Sequence, residues 1–325
     1  MADWNSNPNY HPAQDLRRVL TSLPHVRITH STEYTYHQPV RPTLHRLMLR
    51  PRDSHDLRLS DARLTVSPPP SRTCWAHDVF GNSVCYLEWD SVRTRVIRIV
   101  STLELDHYPA APDLRIDPAA ETFPFTYSAL EAPDLTQRLE RHCPDPNGSV
   151  AAWARGFLNE AGPTSTMGLL VAMTKAIKAD FTYAAREQEG TNDPGVTIET
   201  RAGSCRDFAL LMMEAVRSLG FAAQFVSGYL YNDVSAYPSN AVIGSGATHA
   251  WCAVYLPGPG WVEFDPTNGL IAGRNLVRIC TTRTPQQAKP ITGAYIGTSG
   301  DFAYLRVTVD VAVGGAFANS AFALA

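Results

Sequence analysis

The stretch that decides the fold is Gly203-Ser-Cys-Arg-Asp-Phe-Ala-Leu-Leu-Met-Met-Glu-Ala-Val-Arg-Ser-Leu-Gly220. Its apolar residues, from Phe208 to Leu219, recur at steps of three and one, which is the pattern of one face of an α-helix. Gly220 is a typical residue to follow a helix C-terminus. The segment therefore predicts an amphipathic helix with Cys205 in its first turn.

The predicted position of Cys205, in the first turn of the helix, favours the ionised form of a nucleophilic thiol. The first turn has backbone N–H groups without an intrahelical partner and carries the positive end of the helix dipole. Both stabilise a thiolate over a thiol, and the same N–H groups can donate hydrogen bonds to an oxyanion. Gly203 lets the backbone turn sharply and lets a substrate approach. For Asp207, the simpler interpretation is a favourable interaction with the helix N-terminus.

A base is offered by the segment Thr248-His-Ala-Trp-Cys-Ala-Val-Tyr-Leu-Pro-Gly-Pro-Gly-Trp-Val-Glu-Phe-Asp-Pro-Thr267. If a five-residue loop joins its two strands, Tyr255 faces Trp261 and, by antiparallel register, Asp265 faces Trp251. The loop must have an odd length, because a four-residue loop would move one strand's side chains to the other face.

This register makes His249 the diagonal neighbour of Asp265 on one face of the sheet. Diagonal neighbours lie about 7–8 Å apart, within reach of an imidazole–carboxylate hydrogen bond. Cys252 falls on the opposite face and is predicted to be a packing residue. We therefore predict a catalytic triad of Cys205 as nucleophile, His249 as base and Asp265 as the group that orients the histidine.

The rest of the chain predicts an α+β protein with an antiparallel β domain before the helix-rich part. Alternating runs with Pro and Gly punctuation predict strands early in the chain, and helical periodicity begins near Ser149 and Ser165. The predicted strands are Val26–Tyr36, Leu59–Val66, Val84–Trp89, Val92–Val100, Phe221–Tyr231, Ala250–Leu256, Trp261–Asp265 and Tyr304–Val313.

The chain has 325 residues, which is longer than a single hydrophobic core normally supports. The patterns divide it into several regions. The predicted regions are a flexible lead-in (1–24), a β-rich N-terminal region (25–105), a linker (106–148), a catalytic core (149–290), and a C-terminal strand with a disordered tail (291–325). The polar segment Asn232–Thr248 is a candidate gate over the site, and a surface insertion is the alternative.

Composition excludes several classes of function. The formal net charge is -3 and no long basic block is present, so we expect no nucleic-acid partner. No secretory signal or apolar stretch of membrane length is evident, so we expect no membrane partner and a cytoplasmic location. The six cysteines contain no Cys-x-x-Cys pair, so we expect free thiols, no metal and no cofactor.

A basic cluster, Arg46, Arg50, Arg52, His55 and Arg58, has two interpretations. It could steer an acidic substrate, or it could be one solvated strand edge. The second interpretation is the simpler one.

Three blocks of the chain resemble the transglutaminase-like superfamily, specifically its bacterial cysteine-peptidase-like branch. Arg201-Ala-Gly-Ser-Cys-Arg-Asp-Phe-Ala209 is similar to its cysteine block, Thr248-His-Ala-Trp251 to its histidine block and Trp261-Val-Glu-Phe-Asp-Pro-Thr267 to its aspartate block. The stretch from Val26 to Trp89 resembles the β-rich region that precedes the core in this branch. The resemblance implies a papain-like core in which the nucleophile helix packs on an antiparallel sheet.

The resemblance also implies cysteine-dependent acyl transfer, without settling the acyl acceptor. The leading hypothesis is hydrolysis of a peptide or protein amide bond through a thioester acyl-enzyme. The alternatives are a transglutaminase that passes the acyl group to a primary amine and a catalytically silent peptide-binding module. The sequence gives no indication of the substrate's identity or the oligomeric state.

Overall fold

The computed structural model describes residues 25–108, 114–186, 189–231, 243, 247–271 and 275–314. The predicted lead-in (1–24), the tail beyond residue 314 and most of the predicted gate lie outside the described residues. Within the described ranges, no helix combines the length and the apolar character that a membrane span requires.

The described residues contain five α-helices, all in the central part of the chain. They are α1 (Ala132–Leu139), α2 (Ser149–Arg155), α3 (Thr166–Asp180), α4 (Pro194–Thr200) and α5 (Cys205–Ser218). The helices predicted near Ser149 and Ser165 are confirmed, and the side chain of Ser165 accepts a hydrogen bond from the Gly168 N–H as the N-cap of α3. The segment 106–148, predicted as a linker, contains α1.

Eighteen strands complete the described fold. They are β1 (His25–Pro42), β2 (His45–Leu47), β3 (Leu57–Ser67), β4 (Arg72–His77), β5 (Ser83–Glu88), β6 (Thr94–His107), β7 (Thr122–Phe123), β8 (Thr164–Ser165), β9 (Thr182–Tyr183), β10 (Ala202–Gly203), β11 (Ala223–Leu230), β12 (Thr248–Leu256), β13 (Gly260–Asp265), β14 (Leu270–Ile271), β15 (Leu276–Thr282), β16 (Ile291–Thr292), β17 (Tyr295–Ile296) and β18 (Phe302–Gly314).

Two sheets form the N-terminal part, and strands from the C-terminus complete both. In the larger sheet β18 and β17 pair with β1, followed by β6 and β3; the smaller has the order β16-β2-β5-β4. A core that includes Tyr36, Leu47, Leu87 and Ile97 fills the space between them. The C-terminal strand was predicted, but its antiparallel pairing with β1 was not.

The predicted catalytic core contains a five-stranded antiparallel sheet, the catalytic sheet, with α5 packed on one face. The strand order is β14-β13-β12-β11-β15, and α5 contacts β11 and β12 as well as α2 and α4. Phe208, Leu211 and Met212 of α5 are buried in the main hydrophobic core together with Cys252 and Phe264 from the sheet. The fold is thus α+β, with a nucleophile helix packed on an antiparallel sheet, and a β domain precedes it.

The basic cluster of the N-terminal part has structural contacts. Arg52 donates a hydrogen bond to the carbonyl oxygen of Gly81 (2.9 Å), and Arg46 lies 3.7 Å from the carboxylate of Asp78. The Arg50 guanidinium lies 5.8 Å from the centre of the Trp75 ring. These contacts therefore stabilise loops and strand ends of the β domain.

Two buried histidines join the large N-terminal sheet to the catalytic sheet. The Nδ1 atom of His30 shares a hydrogen bond of 2.7 Å with the hydroxyl of Tyr229, and the Nδ1 atom of His107 shares one of 2.9 Å with the hydroxyl of Tyr231. Burial lowers the pKa of both histidines to about 4. The neutral imidazoles are therefore the folded form. Their contribution to stability is complete above the unfolded pKa of about 6.5 and is lost as pH falls toward 4.

We expect this interface to make the protein sensitive to mild acid. Between pH 7 and pH 5, the free energy of unfolding should fall by about 1–2 kcal/mol for each of the two histidines, read from the shift of the urea midpoint. The double variant His30→Asn/His107→Asn should be less stable at pH 7 but lose less over this range. His77→Asn, at the exposed end of β4, is the matched control and should lose as much free energy of unfolding between pH 7 and pH 5 as the wild type. If the double variant also lost as much as the wild type, the two histidines would not be the cause of the acid sensitivity.

Candidate active site

Cys205 is the first residue of α5, and its position is fixed by the residues around the helix start. The carboxylate of Asp207 accepts hydrogen bonds from the backbone N–H and the hydroxyl of Ser204, both at 2.8 Å. Its other oxygen accepts the Asn192 N–H at 2.6 Å and lies 3.5 Å from the Arg186 guanidinium. The prediction that Asp207 stabilises the helix N-terminus is consistent with these contacts. The buried network holds the first turn, and with it the thiol, in one place.

His249 and Asp265 form a buried pair on the catalytic sheet. The Nε2 atom of His249 and the Oδ2 atom of Asp265 lie 2.9 Å apart, and both side chains are fully buried. Asp265 is the last residue of β13, and His249 is the second residue of β12. The pair therefore lies at one end of the β12–β13 hairpin.

The hairpin register explains why these two side chains meet. Tyr255 pairs with Trp261, as predicted, so the odd-length connection is confirmed. Leu256 also pairs with Gly260, which shortens the loop from the predicted five residues to three. The parity is unchanged, and the side chains of His249 and Asp265 therefore share a face.

Charge at the site favours a protonated histidine. Burial by itself would lower the pKa of His249, but the charge and hydrogen bond of Asp265, together with Cys205, raise the pKa well above its usual range. Burial would raise the pKa of Asp265, but His249 and Asn268 hold it below its usual range. Both directions favour an imidazolium beside a carboxylate.

The second ring nitrogen of His249 is free to act on the thiol. The Nδ1 atom is buried and has no hydrogen-bond partner of standard geometry among the described residues, while Cys205 is one of the groups that raise the pKa of the imidazole. Nε2 is committed to Asp265, so Nδ1 is the ring nitrogen that is available to Cys205. The structure therefore brings together all three predicted residues, and Cys205 and His249 come from elements 30 residues or more apart in sequence.

Comparison with known proteins identifies the family of the chain. The model of the bacterial transglutaminase-like N-terminal region matches residues 26–106, and that of the transglutaminase-like superfamily matches residues 151–266. An uncharacterized protein of Mycobacterium tuberculosis is 30% identical over 294 residues, which cover 88% of this chain and 91% of that protein. The chain belongs to the transglutaminase-like superfamily.

Two further relatives show how far the likeness extends. The crystal structure of a candidate cysteine protease from Cytophaga hutchinsonii has the same fold, with a TM-score of 0.60 and 20% identity over 89% of this chain and 90% of that one. A protein-glutamine gamma-glutamyltransferase of Pseudomonas aeruginosa is 30% identical over 70 residues, which are 22% of this chain and 10% of that enzyme.

Asn268 is a residue of this transglutaminase-like site that sequence reasoning did not single out. Its side-chain amide donates a hydrogen bond to Oδ2 of Asp265 at 2.8 Å, and its backbone N–H donates to Oδ1 at 3.3 Å. The backbone N–H of Thr267 donates to the same Oδ1 at 3.0 Å. The signal in the sequence was the Asp-Pro-Thr-Asn turn, because an Asp at such a position commonly accepts hydrogen bonds from backbone N–H groups two and three residues on.

We expect Asn268→Ala to slow turnover without unfolding the protein. The variant removes one charge-assisted donor to Asp265, which should cost about tenfold in kcat while KM changes little. Asn159→Ala is the matched control, since Asn159 lies in an exposed loop where its side chain accepts the Ala161 N–H. The measurement is steady-state kinetics beside a thermal melt. Wild-type kcat in Asn268→Ala would remove this residue from the positioning of the triad.

Trp251 and Gly228 shape the wall beside the histidine. The Trp251 ring stacks on His249, with ring centres 5.9 Å apart and planes 28° from parallel. Gly228 pairs with His249 across the sheet, and a Cβ there would lie 2.0 Å from the carbonyl oxygen of Val277 and 2.8 Å from the Trp251 ring. A side chain at position 228 would therefore displace β15, which carries Val277, and the Trp251 ring that stacks on His249.

Tyr183 is a second residue that the sequence did not indicate. It lies on β9, whose parallel pairing with β10 sets Tyr183 opposite Gly203, two residues before the nucleophile. Burial and the nearby Cys205 raise the pKa of its phenol, which keeps the hydroxyl protonated and able to donate. No spacing rule points to it, because the contact depends on a two-residue bridge between distant segments.

Proposed function

We propose that this protein is a cysteine-dependent acyl-transfer enzyme that hydrolyses peptide or amide bonds, with Cys205, His249 and Asp265 in the roles of nucleophile, acid–base and orienting group. The observation that carries the proposal is the buried His249–Asp265 pair beside a cysteine at a helix N-terminus. Each of the three side chains has one role in acyl transfer. The chain also matches the model of the transglutaminase-like superfamily, to whose members this chemistry is attributed by resemblance.

The proposed first half-reaction forms a thioester. The Sγ atom of Cys205 attacks the carbonyl carbon, and the oxygen becomes an oxyanion. The backbone N–H groups at the start of α5 that the capping box leaves free, and the hydroxyl of Tyr183, are the donors that we propose to stabilise it. The C–N bond then breaks, the amine leaves with the proton from Nδ1 of His249, and the acyl group stays on sulfur.

The proposed second half-reaction returns the free enzyme. His249, now neutral, takes a proton from water while the water oxygen attacks the thioester carbonyl. The C–S bond breaks, the acid leaves, and the thiolate of Cys205 again faces the imidazolium. Asp265 stays ionised throughout and keeps the imidazole in the tautomer that presents Nδ1 to sulfur.

Transfer to an amine is the second candidate, and the local match to a glutamyltransferase favours it. Water is present at about 55 M, so an amine wins only if the cleft holds and orients it. We propose water as the acceptor because neither the sequence nor the described part of the cleft reveals a feature dedicated to an amine. The cytoplasmic location expected from the sequence stays a prediction.

Product partitioning tests this choice. A panel of peptide amides and glutamine-containing peptides is incubated with the enzyme and a millimolar primary amine, and free acid is compared with amine adduct by mass spectrometry. We expect free acid to dominate and both products to vanish in Cys205→Ala. Predominant Cys205-dependent adduct would make the protein a transglutaminase, and no product across the panel would favour the silent peptide-binding module.

A further inference from the structure

The described structure leaves one edge of the large N-terminal sheet open. Strand β18 (Phe302–Gly314) pairs with β1 on one side and with no strand on the other among the residues that the structure describes. Natural edge strands are normally protected by charged side chains, above all Lys, by Pro or by a β-bulge. The stretch from Tyr304 to Val313 contains neither Lys nor Pro and pairs with β1 without a bulge, and its charged residues are Arg306 and Asp310.

Apolar side chains of β18 are exposed on the face that should be buried. Val309 and Val311 lie opposite His30 and Ile28 of β1, so odd-numbered residues of β18 share the core face of the sheet. Leu305 and Val307 belong to the same face, yet they are 48% and 47% exposed. A long edge with exposed apolar residues on its core face is typical of a strand that pairs with another chain.

We propose that β18 pairs antiparallel with β18 of a second copy of this chain, with the twofold axis at Thr308. Thr308 is the midpoint of the strand, so this register uses all of its 13 residues. The core faces of the two copies stay on the same side of the joined sheet, and Val307 of each copy lies opposite Val309 of the other. The sheet then continues across the axis from one copy to the other.

Charge selects this register among the alternatives. With the axis at Thr308, Arg306 of each copy lies opposite Asp310 of the other on the outer face, so two ion pairs form. A shift of the axis by one residue places Arg306 opposite an uncharged residue, and an axis between two residues would put the core face of one copy beside the outer face of the other. Within the described chain, neither Arg306 nor Asp310 has an ion-pair partner; Arg306 lies 5.8 Å from the ring of Tyr304.

The proposal does not depend on the proposed catalysis, and sedimentation of the full chain over a range of concentrations tests it. We expect a reversible dimer. Arg306→Asp or Asp310→Arg places like charges opposite each other twice, which should weaken dimerisation about tenfold or more. The double variant Arg306→Asp/Asp310→Arg exchanges the charges and should restore the wild-type dimer.

Cross-linking provides an independent test that no folding defect can imitate. In a Cys74→Ser background, Thr308→Cys should form a disulfide-linked dimer on mild oxidation, because the two substituted residues face each other on the axis. Tyr304→Cys is the matched control; its two copies lie eight residues apart along the strand, about 27 Å, and should not cross-link. A monomer at all concentrations, as expected if another segment of the same chain covered β18, would overturn the proposal. So would a dimer that neither single variant, Arg306→Asp or Asp310→Arg, weakens, or equal cross-linking at both positions.

Discussion

Asp265→Asn should lower kcat/KM by about 10⁴ while the protein still folds, as a change of this kind does in comparable triads. The reason lies in the contacts of the carboxylate. Backbone N–H groups of Thr267 and Asn268 both donate to Oδ1, so the amide oxygen of the variant must occupy that place. Its NH₂ group then faces Nε2 of His249. That nitrogen must accept, and the ring proton moves to Nδ1, where it blocks transfer from sulfur.

The rate of acyl-enzyme formation measures this effect without a known substrate. p-Nitrophenyl acetate serves as the probe in a Cys74→Ser background, and the burst of nitrophenolate reports acylation. Asp61→Asn is the matched control, since the carboxylate of Asp61 forms an exposed ion pair with Arg63 away from the site. A variant that melts like the wild type and keeps a near wild-type burst would remove Asp265 from the mechanism.

Arg217→Met should destabilise the protein by about 3–5 kcal/mol, because the buried carboxylate of Glu214 loses its close ion pair and retains the more distant Arg141 guanidinium at 3.7 Å. Arg217 and Glu214 are both inaccessible to solvent and lie 2.8 Å apart on the apolar helix α5. The same guanidinium donates to the carbonyl oxygens of Arg138, Ala223 and Arg283 at 2.8–3.0 Å. The pair therefore connects the nucleophile helix to three segments around it.

Urea unfolding of two further variants separates the effect of the lost charge on the free energy of unfolding from the effect of the lost packing. Arg63→Met removes an exposed ion pair with Asp61 and should change the free energy of unfolding by less than about 0.5 kcal/mol. Glu214→Gln/Arg217→Met removes both charges and should recover part of the loss. If Arg217→Met were no more harmful than Arg63→Met, the buried pair would not stabilise the fold.

Local sequence patterns predict the helix and the hairpin that form the site. The apolar steps of α5 and the first turn at Cys205 were predicted from periodicity and are confirmed. The Tyr255–Trp261 register followed from turn arithmetic alone, because strand parity depends only on whether the loop is odd or even. That parity is what set His249 and Asp265 on one face.

Long-range pairings could not be predicted, because they leave no local signal. Nothing in the periodicity of Phe302–Gly314 indicates β1 as its partner, because the paired residues run from Tyr36 with Phe302 to His25 with Gly314 and are far apart in sequence. The strand β15 and the contact of Tyr183 were missed for the same reason, whereas the contact of Asn268 with Asp265 is local and follows from the Asp-Pro-Thr-Asn turn. The helix α1 has Pro133 near its start and only eight residues, too few for a clear apolar stripe within a proline-rich stretch.

The cysteines give the most direct test of the central claim. Burial raises the pKa of Cys85 and Cys143 to about 11 and that of Cys252 and Cys280 to about 12. These four thiols are therefore unreactive in mild acid. Cys74 is exposed and provides an internal reference for an ordinary thiol.

The measurement is alkylation by iodoacetamide at about pH 6, mapped by peptide mass spectrometry, in the wild type and in His249→Gln. If the imidazolium and the helix N-terminus hold a thiolate, Cys205 should react at least tenfold faster than Cys74, and the advantage should disappear in His249→Gln. Labelling of Cys74 as fast as Cys205 in the wild type, or an unchanged Cys205 rate in the variant, would contradict the triad.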